Sequence, residues 1–129
     1  MVIDLLTADP RHGPASREAL RTCLARGSVI ACDVVWAEVS AGFDDAEEGG
    51  RLLDRLGISF SALDPPACAR AGAAWRAHRS RSRGRGRDRV IADFLVGGHA
   101  ATTAERLLTR DRGFYRQWFG GLPVVEPAR

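Results

Sequence analysis

Residues 93–111 read DFLVGGHAATTAERLLTRD, and the fold turns on how this stretch divides. Extended back to VIADFLVGGHAATTA (90–104), its first part is mostly apolar for longer than a strand usually runs, which predicts a buried helix. RLLT (106–109) then predicts a short buried strand, with Asp111 just beyond its carboxyl end. In open α/β sheets ligands bind outside the carboxyl ends of the strands.

Working outward, the same alternation recurs. Residues 14–26, PASREALRTCLAR, place Ala15, Ala19, Leu20, Cys23 and Leu24 on one helical face, with Gly27 as a left-handed stop. SVIAC (28–32) predicts a buried strand. Asp33 is expected to cap a helix over 34–42. A second helix starts at Asp44, with Glu47 at capping-box spacing, and ends at Gly57. ISFSAL (58–63) predicts a strand. Asp64-Pro65-Pro66 opens a helix to about His78 that buries Ala67, Ala71 and Ala74. Beyond Asp111, residues 112–119 predict a short aromatic helix and LPVVEP (122–127) an edge strand. Strands alternating with helices imply a mainly parallel sheet.

At 129 residues, 45% apolar and 27% charged, the chain reads as one globular domain spanning 1–129. It has no apolar run near the ~20 residues that span a bilayer. MVIDLL carries an acid where a secretory signal would be positive, so a cytoplasmic protein is expected. The three cysteines, Cys23, Cys32 and Cys68, lack zinc-site spacing and read as buried reduced thiols. Between Arg79 and Arg89 six arginines face one acid, Asp88, while the rest of the chain is slightly acidic. Such a segment is expected to be a loop or a frayed helix end.

Three acids stand where solvation explains them poorly. Glu38 lies in the apolar VVWAEVSAG, Asp93 in an apolar helix, and Asp111 at a strand terminus. Several carboxylates brought together are costly unless a cation joins them, and all-oxygen donors suit magnesium or manganese. His78 and His99 read as packed helix residues. Thr109 could orient a carboxylate or a water.

AEVSAGF, DFLVGGHA and LLTRDRGFYRQWFGGLPVVEP resemble the PIN-domain ribonucleases, in particular the VapC toxins of toxin–antitoxin pairs. Gly98, where the family usually has alanine, and Gly120-Gly121 are departures. The resemblance implies a three-layer α/β/α fold with five mainly parallel strands. It implies a quartet of acids holding Mg2+ or Mn2+, with Glu38 second, Asp93 third and Asp111 fourth; Asp88 is the rival for the third place. The first acid of the family sits in an opening strand that ends D-[ST]-N-V. Met1 falls where that valine would stand, and Asp4 falls on a later acid. The first, central strand and its acid are therefore expected to be largely missing, with an upstream start.

The activity so implied is metal-dependent endoribonuclease cleavage to 3′-hydroxyl and 5′-phosphate ends. RNA would be bound through Arg81, Arg83, Arg85, Arg87 and Arg89. The implied partners are a VapB-like antitoxin and a second copy of the chain, with no membrane. The alternative is a catalytically inactive PIN-like module that binds RNA or antitoxin, as loss of the first acid would leave it. A nucleotide-binding domain lacks support, since no G-x-G-x-x-G follows a strand.

Overall fold

The computed structural model describes residues 13–81 and 91–127. Asp4, Asp88, Arg83, Arg85, Arg87 and Arg89, and the expectation for the opening strand, lie outside the described residues. By contact the chain divides into two compact units: Met1–Ala62 with Leu108–Arg110 and Val125–Arg129, and Leu63–Leu107 with Asp111–Val124.

The first described element of the first unit is α1 (Gly13–Arg26), which buries Ser16 and Leu20. Gly27 closes the helix by donating its N–H to the Cys23 carbonyl at 3.0 Å. The left-handed backbone anticipated there occurs instead at Gly57, with φ +84. β1 (Val29–Ala31) and β2 (Ile58–Phe60) pair in parallel, Val29 opposite Ile58 and Ala31 opposite Phe60. A parallel pair requires a crossover, and here it holds α2 (Asp33–Ser40) and α3 (Ala46–Arg55). Leu20, Ala31, Val39, Leu53 and Ile58 form the core beneath these elements.

Both caps in this unit fall one residue from their expected places. Cys32 occupies the N-cap of α2, so Asp33 lies inside the first turn, where its charge still suits the helix dipole. Asp45, not Asp44, caps α3: its Oδ1 accepts from the Glu47 N–H at 3.0 Å and its Oδ2 from Arg51 Nη2 at 2.8 Å. That carboxyl is held below the usual carboxylate range, first by the Glu47 amide and then by Arg51.

The second unit is built on a helix pair, α4 (Pro65–Arg81) and α5 (Ile91–Thr103). Asp64 Oδ1 accepts from the Ala67 N–H at 3.0 Å and caps α4 as expected. Ala67, Ala71 and Ala74 are its buried stripe. α4 runs to Arg81 rather than to about His78, so Arg79 and Arg81 stand on a helix end, one of the two expectations for the start of this segment. Cys68 is exposed on α4, against expectation; Cys32 is buried and Cys23 half-buried.

Gly98 explains how closely α4 and α5 meet. A methyl there would collide with the Ala67 carbonyl oxygen and lie 2.9 Å from the Ala71 methyl. The departure from alanine at Gly98 thus makes room for the α4 backbone. α6 (Arg112–Trp118) adds the aromatic side of the core, where Phe94 and Phe119 are fully buried. The Phe94 and Phe114 rings meet edge-on at 5.1 Å.

β3 (Leu107–Leu108) and β4 (Val124–Val125) form a second two-stranded sheet. The Leu107 N–H donates to the Pro123 carbonyl and the Thr109 N–H to the Val125 carbonyl, each at 3.0 Å. The partners advance together, so this pair is also parallel. Four of the five implied strands are thus found among the described residues, in two sheets.

Candidate active site

Asp111 stands immediately beyond β3, as the N-cap of α6. The simplest explanation for an acid there is capping, yet its side chain makes no capping hydrogen bond. It is half-buried. The preceding backbone is fixed by the bond from Thr109 to Val125. Thr109 is itself half-buried.

Asp93 belongs to the same unit as Asp111. It sits in the first turn of α5 as described, not in mid-helix, and is half-buried. The neighbouring Phe94 is fully buried and locks that turn into the core. A carboxylate in a first turn is favoured by the helix dipole, so position as well as packing stabilises it.

Glu38 corrects the sequence argument. It belongs to the first unit, on α2, and is exposed. The inward side of α2 is carried by Val39, with Val35 and Trp36 half-buried against the core. Glu38 therefore carries no burial cost that a cation would have to relieve. Within each unit, the described residues bring no three His, Cys, Asp or Glu side chains together where they could hold a metal ion. In kind, the half-buried Asp93 and Asp111 carboxylates fit a hard dication. In number, the described residues fall short of the implied quartet.

Arg81, at the end of α4, is exposed and lies over the Trp118 ring, 5.6 Å from its centroid. His99 is buried, as expected of a packed helix residue. His78 packs its ring against Phe94 at 5.3 Å and Trp118 at 5.1 Å. Trp36 and Phe43 pack against the core of the first unit. Ser16 has no counterpart in the sequence argument. It is fully buried and accepts a 2.8 Å hydrogen bond from Arg110 Nη2. A serine among the apolar positions of α1 was the available signal.

The described residues thus form parallel strand pairs with helices, with one acid beyond a strand's carboxyl end and another in a helical first turn. The family model for the PIN domain matches residues 1–118, and the chain belongs to the PIN domain family. No curated protein matches the sequence. Among solved structures, the chain is similar to VapBC2 from Rickettsia felis, determined bound to a DNA fragment from its promoter. The TM-score is 0.68 at 14% identity, covering 98% of this chain and 92% of that one. It is also similar to VapBC-1 from nontypeable Haemophilus influenzae, with a TM-score of 0.65 at 16% identity, covering 97% and 91%. At these identities the likeness is one of fold. Among the described residues no helix is long and apolar enough to cross a membrane.

Proposed function

We propose that this PIN domain is an endoribonuclease toxin of the VapC type, dependent on Mg2+ or Mn2+. The observation that carries the reading is Asp111, half-buried beyond β3 without a capping role. Asp93 and Asp111 would hold the cation; the family resemblance also assigns Glu38 to the acid set. Bound there, the cation would lower the pKa of water and offset charge on the phosphate. The chain's own part is positional. The first turn of α5 and the end of β3 carry the two aspartates, Thr109 orients a carboxylate or a water, and Arg81 with Arg83, Arg85, Arg87 and Arg89 pairs with RNA phosphates. A VapB-like antitoxin and a second copy of the chain are the proposed partners. Exposed Phe60, edge-on to Trp36 at 5.3 Å, is a surface such a partner could cover.

The test is cleavage of a labelled RNA by the purified chain with Mg2+, with Mn2+ and with chelator. Metal-dependent cleavage that falls at least about 100-fold in Asp93→Asn is expected. Cleavage indifferent to chelator would overturn the reading.

A second reading is favoured by the lack of a three-ligand cluster among the described residues: an inactive PIN-like module that binds RNA or antitoxin. A metal titration separates the two, since such a module binds its partner equally with and without the cation.

A further inference from the structure

Two groups of arginines in this fold are arranged in opposite ways. Arg51 on α3 is surrounded by acids, with Asp45 at 2.8 Å, Glu48 at 3.2 Å and Glu47 at 3.5 Å. The arginines of α4 are the opposite case. The helix contains no acidic residue. Among the described residues no carboxylate lies within ion-pair distance of Arg76, Arg79 or Arg81. All three are exposed.

Two of them are backed by indoles instead. The Arg79 guanidinium lies over Trp75 at 4.9 Å, and that of Arg81 over Trp118 at 5.6 Å. An arginine resting on a ring keeps its charge and its planar face while losing freedom beforehand, so less is lost when it binds. His78 fixes where this layer lies. Its ring touches both Trp118 and Phe94, and Phe94 adjoins Asp93 in the first turn of α5. The cationic end of α4 and the carboxylate of Asp93 therefore occupy the same end of the α4–α5 pair.

We propose that the last two turns of α4, with Trp118 of α6, bind single-stranded RNA and lead it toward Asp93. Arg76, Arg79 and Arg81 pair with backbone phosphates, and the ring-backed guanidinium groups of Arg79 and Arg81 stack with unpaired bases. The inference rests on the nuclease reading and names the form of its substrate. Unpaired bases are specified because the surface offers planar cations, and a duplex hides the faces of its bases.

The experiment is fluorescence anisotropy of the intact chain with a labelled oligouridylate, a duplex RNA of equal length and an abasic oligomer, in chelator and across a salt series. In R76Q/R79Q/R81Q, binding of the oligouridylate weakens about tenfold or more at low salt. The log–log salt slope becomes shallower by about 2, at about 0.7 per phosphate contact. Glutamine keeps helix propensity at these exposed sites, and unchanged circular dichroism verifies the fold. The corresponding triple lysine variant regains the slope but not the preference for oligouridylate over the abasic strand, because an ammonium has no planar face. Wild-type and glutamine variants binding RNA alike would overturn this inference alone. So would a glutamine variant that keeps RNA binding and loses only a protein partner. A wild-type chain that binds no RNA would remove the inference together with the nuclease reading.

Discussion

Arg110 donates from Nη2 to the Ser16 hydroxyl at 2.8 Å, joining residues ninety-four positions apart. Ser16 is fully buried on α1, and Arg110 is half-buried in the LLTRD segment, one residue before Asp111. A hydroxyl so placed must be bonded, and a bond to a charged donor is worth more than a neutral one. Ser16→Ala should therefore destabilise the fold by about 2 kcal/mol. The shift of the urea midpoint at constant slope measures this; a shift within error would mean that water replaces the hydroxyl without loss.

Gly98 should resist even one added methyl. The group would meet the Ala67 carbonyl, which is helix backbone and cannot turn aside as a side chain does. Gly98→Ala should cost about 1–3 kcal/mol, since overpacking forces the helices apart. Its thermal midpoint, compared with that of Gly72→Ala, is the measurement. Gly72 has open space around its missing methyl, so that variant should be neutral or more stable.

The start of α3 should respond to acid. The Asp45 carboxyl is lowered by the Glu47 amide and by Arg51, so the folded pKa lies below the unfolded one. Its contribution is complete above the unfolded value and is lost as pH falls through the folded value. Fraying of α3 should thus begin only below the ordinary carboxylate range. The Glu47 amide shift in an NMR pH titration reports it, and Asp45→Asn should abolish the inflection. Because these charges are exposed, the effect should shrink in high salt.

Asp111→Asn separates chemistry from stability. Asparagine serves as well as aspartate at an N-cap, and Asp111 makes no capping bond with its side chain. Thermal stability should stay near wild type while RNA cleavage falls at least about 100-fold. A large loss of stability would assign Asp111 a structural role.

Local chemistry explains what the sequence made readable. The stripe Ala67, Ala71 and Ala74, the Asp64 cap and the end of α3 before Gly57 each follow from spacing or backbone preference alone, and each is found. The short strands and the order of helices likewise follow from apolar runs between turn residues. Placement of charge was harder. Glu38 looks buried in VVWAEVSAG, but a helix buries only one side, and Val39 rather than Glu38 lies on it. The sequence left α4 past His78 open between loop and helix end, because like charges and serines favour open chain, while Trp75 and Trp118 supply rings over which Arg79 and Arg81 rest. Such ring pairing depends on tertiary structure and has no local signature. The bond between Ser16 and Arg110 is invisible for the same reason.

The central claim is that Asp93 and Asp111 serve one cation. Substoichiometric Mn2+ added to the 15N-labelled chain tests it most directly, through paramagnetic broadening of assigned amides. The amides around Asp93 and Asp111 should broaden together at the lowest Mn2+ concentrations, and Asp93→Asn should abolish the broadening at both. Broadening at only one of them, or none before the exposed acids of α3 respond, would contradict it.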